Sequence, residues 1–410
     1  MSLRSYVITR VLLTIPMILL LLTIVFLIVR VLPGDPVLLH FEKHADPEDV
    51  QRLRHNLGLD KPLYAQYADY LIGIVHGDFG KSMQDFSSIG QQIFSAFPAT
   101  LELAIYSIIV AVTVGILLGV TASRSYGSFE DHAIRAFGTV AYAIPVFFLG
   151  MIFQLIFGVG LHWFRTGGRI QPTLEPHGLI VHLSRPSGGF GSVLLFWCPV
   201  GLLALAACLG VLRRKGVKLW PKGLCISVSV LLASWLILSS LAWHFASVGR
   251  FRLATGLYTI DSILEGNVVK LVESLKGLVL PCLTLGLVLC GIFIRLTRSN
   301  MLETLRLDYV AAARARGLRE STVVYGYALR NAFLPVLTMM GLQFAALLGG
   351  AILTETTFSW PGLGRYLVDR INFRDYTAIQ GAVILFGLMV ALVSLVVDVL
   401  YAYLDPRIRL

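Results

Sequence analysis

Eight separate runs of apolar residues decide what this chain can fold into. They lie at about 8–29, 99–121, 136–160, 191–212, 223–245, 278–297, 336–357 and 378–401. A hydrocarbon core about 30 Å thick is crossed by about 20 helical residues. Inside lipid a backbone N–H or C=O finds no water, so each crossing segment must satisfy its own hydrogen bonds as a helix. The period-two alternation of a membrane β-barrel is absent from these runs. The expectation is an all-α integral membrane protein, a polytopic helix bundle of about eight transmembrane helices. Composition agrees: of 410 residues, 56% are hydrophobic and 14% charged, against about 25% charged in soluble domains.

The first run follows Arg4 and Arg10 and has the flanks of a signal peptide. It is long for one, whose apolar core spans about 7–15 residues, and no small-residue cleavage site follows it. Arg30-Val31-Leu32-Pro33-Gly34-Asp35-Pro36 closes it instead. It reads as a retained span.

Orientation comes from the basic residues. With a cytoplasmic N-terminus, segments 122–135, 213–222, 295–335 and 402–410 lie inside. Cytoplasmic loops favour Lys and Arg, most reliably in short loops. Arg213-Arg214-Lys215 with Lys218 and Lys222 is the clearest marker. The net charge of +10 is thus a topology signal. No basic–aromatic platform accompanies it, so no nucleic-acid partner is expected.

Catalytic and metal-binding constellations are not legible. Cys198, Cys208, Cys225, Cys282 and Cys290 all lie in apolar runs, without a C-x-x-C pair. They are read as small apolar packing groups. Neither H-E-x-x-H nor G-x-S-x-G occurs. Gly80-Lys81-Ser82 resembles the end of a phosphate-binding loop. That loop needs a glycine five residues before Gly80, and Val75 stands there. No cofactor and no metal are expected in this chain.

Segment 31–98 is read as extracytoplasmic, with helix-forming pieces at Asp46–Leu53 and Tyr64–Ile72. It is too short for an independent catalytic domain. On the opposite side, Asp308-Tyr309-Val310-Ala311-Ala312-Ala313-Arg314-Ala315-Arg316-Gly317 and Arg330-Asn331-Ala332-Phe333-Leu334-Pro335 form a long basic segment between two spans. Ala and Arg favour helix, Gly317 interrupts it, and Pro335 marks the turn back into an apolar run. So structured a loop at a membrane surface reads as a docking element for a soluble partner.

These motifs carry a resemblance. The order Arg298-Ser299-Asn300-Met301, Asp308-Tyr309-Val310, Ala313-Arg314-Ala315-Arg316-Gly317-Leu318, Phe358-Ser359-Trp360-Pro361-Gly362-Leu363-Gly364 and Asp405-Pro406-Arg407 resembles the permease subunits of dipeptide, oligopeptide and nickel ABC importers. Leu32-Pro33-Gly34-Asp35-Pro36, Gly77-Asp78-Phe79-Gly80-Lys81-Ser82 and Pro98-Ala99-Thr100-Leu101-Glu102-Leu103 agree. The family's cytoplasmic signature is E-A-A, three residues, then G, ending in L-P. Ala311-Ala312-Ala313 and Gly317 fit it, with Ala311 in place of the Glu and a longer gap to Pro335.

The resemblance implies a type I importer transmembrane domain with six family helices. Its parts would be an N-terminal helix (1–30), the outer segment (31–98), the transmembrane domain (99–401) and a cytoplasmic tail (402–410). It also implies that loop 298–335 couples to an ATP-binding subunit through Ala311, Ala312, Ala313, Arg314, Arg316, Gly317, Leu318 and Pro335. Implied partners are a second permease, two ATP-binding subunits carrying the ATP and Mg2+, and an extracytoplasmic solute-binding protein, all at a bacterial or archaeal plasma membrane. Both termini would be cytoplasmic. Peptides are the leading substrate class; nickel chelates, glutathione and oligosaccharides are the alternatives within it. A stand-alone channel or exporter lacks support because the chain has no nucleotide motif, and a membrane enzyme because it has no catalytic set.

Two features stay open. Gly341, Ala345 and Gly349, with Gly350 beside them, line one face of a span; they serve either a sliding pathway helix or ordinary tight packing. Glu102, Glu355 and Asp398 lie in or near spans, where charge is costly. They either line the pathway or, as is commoner so close to a span end, reach the interface or pair with a neighbouring helix.

One stretch departs from the resemblance. Between Gly160-Leu161-His162-Trp163 and Leu280-Pro281 the chain inserts a hairpin at about 186–250, with spans 191–212 and 223–245. A pair of added helices preserves the orientation of everything downstream; it reads either as a peripheral hairpin touching mostly lipid or as a contact for a partner subunit or a lipid. Deletion of 186–250 is therefore expected to leave ATP-dependent uptake largely intact; loss of assembly in the deletion counts against it.

Overall fold

A computed structural model describes residues 3–31, 51, 60–170, 179–181, 251–253 and 255–404. The inserted hairpin, Asp405–Arg409 and most of 31–59 lie outside the described residues. So do the motif at Leu32–Pro36 and, apart from Gln51, the piece at Asp46–Leu53. The chain divides into two compact units. One comprises Met1–Glu175, Gly256–Thr259 and Val268–Leu410; the other comprises Pro176–Thr255 and Ile260–Asn267. In the second, β1 (Leu179–Val181) pairs antiparallel with β2 (Phe251–Leu253), Ile180 opposite Arg252. There, too, the Thr255 N–H and hydroxyl both donate to Asp261 Oδ1 at 2.8 Å.

The first unit is a helix bundle. Its spans are α1 (Leu3–Val31), α3 (Ile89–Arg124), α7 (Val268–Thr304), α9 (Leu329–Gly350) and α12 (Tyr376–Leu404). Shorter elements connect them: α2 (Leu63–Val75), α4 (Phe129–Ala143), α5 (Val146–Phe153), α8 (Asp308–Ala315), α10 (Ile352–Thr357) and α11 (Leu363–Asn372). A further helix, α6 (Tyr258–Leu264), begins in this unit. Among the described residues, five helices are long and apolar enough to cross a membrane, or six if the bent pair of α4 with Val146–Gly160 is one span. Six of the eight expected runs are thus helical, and the other two lie outside the described residues.

The core forms where α3 and α7 meet. Gly115 abuts Phe293, Gly119 abuts Thr297, and Gly286 abuts Val110. None of these glycines has room for a Cβ. Without a side chain the two backbones approach closely, which is how helices gain contact in lipid where hydrophobic exclusion does not act. Leu103, Ala111, Leu278, Phe293, Leu348 and Trp360 fill the cluster around this seam. On its other side α7 receives α4, with Gly291 against the Gly138 carbonyl.

Two apolar runs break where the sequence reading had continuous spans. The run 136–160 bends by 99° between Ala143 and Val146. Pro145 causes it: the residue before a proline is driven out of the helical region, and Ile144 is extended, at ψ 127°. The run 336–357 stops at Gly350, and α10 starts afresh at Ile352. Consecutive Gly349 and Gly350 are weak helix formers. Pro335 differs in the other sense. It sits inside α9, because the π-helical turn Thr322–Ala328 already leads into that helix. Its missing N–H frees only the Asn331 carbonyl, and Asn331 is exposed.

α1 is fastened to the bundle along α12. Leu22 and Val25 pack with Ile384. Arg10 pairs with Asp398 at 3.2 Å. From α2, the Tyr70 hydroxyl donates to the Leu22 carbonyl at 3.1 Å, and Tyr67 and Thr23 share a hydroxyl hydrogen bond of 2.6 Å. Tyr64–Ile72 is helical, as expected.

The α4–α7 seam makes a direct prediction. Gly291→Val forces a side chain against the Gly138 carbonyl and should cost about 1–3 kcal/mol or more, as overpacking does. A lower melting temperature of the detergent-purified protein checks it; an unchanged one refutes it.

Candidate functional site

α7 runs past the apolar span to Thr304, and the basic segment begins there. Asp308 opens α8 in the first turn, where negative charge suits the helix dipole. Gly317, at φ 76°, closes it, its N–H bonding the Arg314 carbonyl at 2.9 Å. This left-handed stop is the one glycine geometry that the signature spacing demands. Val310 and Ala313 turn inward against Val120, Met301, Val323, Val324, Ala328 and Ala332. Ala311, Ala312, Arg314, Arg316, Gly317 and Leu318 turn outward and are exposed. The alanine triplet is therefore split: Ala313 belongs to the fold, while Ala311 and Ala312 form a surface of low relief.

The arginines are split as well. Arg314 grips Glu320 with two donors, at 2.7 and 3.2 Å. The Arg314 hydrogen bonds hold the Glu320 carboxyl below its ordinary range. Arg306, Arg316, Arg319 and Arg330 are exposed. Asn331 donates to the Tyr309 hydroxyl at 2.7 Å, tying α8 to the start of α9. A polar cleft of about 550 Å³ lies beside the segment, edged by Arg124, Glu130, Arg314 and Glu320.

Close by, a buried ion pair pins α4 to α7. Arg298 donates to both Asp131 oxygens, at 2.6 and 2.8 Å, and Asp131 is 1% exposed. The Gly127 N–H adds a third donor at 3.1 Å. Asp131 is also the second acidic residue of α4's first turn, and its N–H bonds the Ser128 cap. The guanidinium stacks 5.4 Å from the Tyr126 ring centre. Sequence reading quoted Arg298 only as part of a motif and overlooked Asp131.

The other end of α3 gathers polar groups around the turn Pro98–Glu102. Glu102 is buried and pairs with Arg169; its Oε1 accepts the Thr259 N–H and hydroxyl at 2.9 and 2.7 Å. The Thr100 hydroxyl donates to Glu355 at 2.6 Å and accepts the Leu363 N–H at 2.7 Å. Glu355 also accepts the Arg365 N–H at 3.0 Å. All three flagged acids therefore have partners: Glu102 with Arg169, Glu355 with a hydroxyl and a backbone amide, Asp398 with Arg10. The partner Arg169 carried no signal in the sequence. The motif Pro98–Leu103 did, and its polar members are the ones that bind.

Ser82, the last residue of the phosphate-loop likeness, has a partner in the fold. Its hydroxyl donates to buried Asp375 at 2.6 Å, and Asp375 in turn caps α12 through the Ala378 N–H at 3.1 Å. Nearby, hydrogen bonds led by the Ser87 hydroxyl hold Asp85 down at about 2. The small-residue stripe of α9 faces α12: Gly341 abuts Val397, a Cβ added at Gly349 would lie 3.6 Å from Val390, and Ala345 is buried. Gly350 ends the helix. Cys282 and Cys290 are buried free thiols in α7.

The described residues thus form a bundle of helices of membrane-spanning length with an exposed basic segment at one end. Residues 111–410 match the family model described as the binding-protein-dependent transport system inner membrane component, and residues 3–104 match that of its N-terminal region. The chain belongs to this family of inner-membrane permeases. It is 35% identical to the di/tripeptide transport system permease protein DppB of Pseudomonas aeruginosa, over 94% of this chain and 92% of that one. It is 35% identical to the dipeptide transport system permease protein DppB of Escherichia coli K12, over 99% and 98%. It is 33% identical to the glutathione transport system permease protein GsiC of Salmonella typhimurium, over 99% of each.

Removing one partner of a buried ion pair strands the other charge, at about 3–5 kcal/mol. Asp131→Asn should therefore sharply reduce the yield of monodisperse protein and lower its melting temperature; wild-type behaviour in both would show that the pair is dispensable.

Proposed function

We propose that this chain is the permease subunit of an ATP-driven importer of di- and oligopeptides. It forms the translocation path with a second permease and receives its substrate from an extracytoplasmic binding protein. Two ATP-binding subunits supply the work, with ATP and Mg2+ held there. The observation that carries this reading is the exposed α8 turn, stopped by left-handed Gly317, in a chain that matches the permease family across both its N-terminal and main regions. The peptide substrate rests on the relatives named for dipeptide and tripeptide transport. The relative named for glutathione, itself a tripeptide, supports a second reading within the same chemistry.

In this reading residues 298–335 and both termini are cytoplasmic. Ala311, Ala312, Arg316, Gly317 and Leu318 meet the ATP-binding subunit. The two exposed alanines permit close approach, and Arg316 meets acidic groups through a planar fork. Arg314 acts on shape through Glu320, Ala313 anchors α8 from beneath, and Pro335 lies one helix further on. Closure of the ATP-binding subunits displaces α8. Because Val310 and Ala313 are packed into α3 and α7, the bundle follows as a switch between two states whose balance nucleotide sets.

The test is Gly317→Val in the assembled complex. A β-branched residue cannot adopt φ 76° without strain, so α8 loses its stop. Dipeptide uptake into proteoliposomes should fall about 10-fold or more, as expected when about 1.4 kcal/mol of coupling is lost. Undiminished uptake, or labelling of Arg316→Cys from outside intact cells, would refute the reading.

A further inference from the structure

One turn of α3 collects the polar contacts of three separate stretches of chain. The ring of Pro98 fills the space beside Gly256. The Ala99 carbonyl accepts the Trp360 indole N–H at 2.8 Å. Thr100 holds Glu355 and Leu363, and Glu102 holds Arg169 and Thr259. Arg169 donates onward to the Gly256 carbonyl at 2.9 Å and stacks 3.7 Å from the Tyr258 ring centre, with Trp360 at 5.7 Å. Residues 166–169, 256–259 and 355–363 are thereby fixed to each other through α3. The node sits where α3 leaves its apolar run, which begins at 99.

The same helix reaches the docking segment. α3 has 36 residues, and from Glu102 to Val120 it spans roughly 27 Å at about 1.5 Å per residue, close to one membrane thickness. Val120 packs in the cluster that seats Val310 and Ala313. Between the two ends, the glycine seam with α7 keeps α3 from sliding. A packed core transmits displacement and has little compliance to absorb it.

We propose that Glu102 and Arg169 are positioning residues that couple the outer loops to the docking segment through α3. This rests on the importer reading above. Docking of the binding protein on the outer loops is passed along α3 to α8 and so raises ATP hydrolysis in the partner subunits. Neither residue touches substrate; each acts through the segments it holds. The buried Nε of Arg169 has no hydrogen-bond partner among the described residues, so its grip depends on Glu102, the Gly256 carbonyl and the two rings.

The test uses the complete complex, this chain with the second permease and the ATP-binding subunits, in lipid nanodiscs. ATP hydrolysis is measured with and without the binding protein loaded with dialanine. Glu102→Gln keeps the volume and the contacts to Thr259 but loses the charge. It should assemble, keep basal hydrolysis and lose about 5-fold or more of the stimulation, the low end of ordinary coupling strengths. Stimulation at the wild-type level overturns the proposal. If Glu102→Gln does not assemble, Arg169→Lys decides on the same readout. Failure of both to assemble makes the node a folding element only and likewise overturns the proposal. A wild-type complex without any ATP hydrolysis would instead overturn the importer reading itself.

Discussion

The close approach of α3 and α7 is the constraint on which the rest of the bundle depends. In lipid there is no water to expel from between two apolar helices, so attraction comes from contact alone. Contact is maximal where one partner is glycine, and Gly115, Gly119 and Gly286 each take a neighbouring residue at the backbone surface. The other described spans are placed by reference to this pair. α4 meets α7 through Gly138 and Gly291, while α9 and the loop around Trp360 fill the remaining side. α12 then packs on α9, and α1 on α12.

Charge is used sparingly and at the ends. Arg298 with Asp131, and Arg169 with Glu102, are buried pairs, each with additional donors on the carboxylate. Burial of two charges is costly, and such pairs persist only where geometry and extra hydrogen bonds offset desolvation. Their value is specificity: each fixes a loop or a helix start against a span, where apolar packing alone would tolerate sliding. Arg314 with Glu320 is different. It is exposed and contributes little to stability; it ties Arg314 of α8 to Glu320 in the turn that follows.

The basic segment around α8 combines a buried base with an exposed face. Its inner residues join the end of α3 to the end of α7, so that α8 is packed onto the spans themselves. Its outer face is small, apolar and basic. In the proposed importer that combination suits force transfer: a partner holding the outer face would move the spans, because α8 is packed onto them. The glycine at its end contributes geometry, the alanines proximity, and the cluster beneath them stiffness.

Much of this was written in local patterns. Apolar run lengths determined six helical regions, since the bilayer imposes a length and a backbone requirement on any sequence. The A-A-A spacing to Gly317 determined a helix and its stop, because only glycine adopts φ 76° at low cost. The bend at Pro145 was legible from the Ile-Pro pair but lay hidden inside a run scored by hydropathy alone. What tertiary structure decided is pairing. Nothing near Arg169 names Glu102, 67 positions away, and nothing in Ala311-Ala312-Ala313 says that the third alanine turns inward. Hydropathy and spacing act along the chain, whereas a buried charge or a missing Cβ acquires its meaning only from what the fold brings against it.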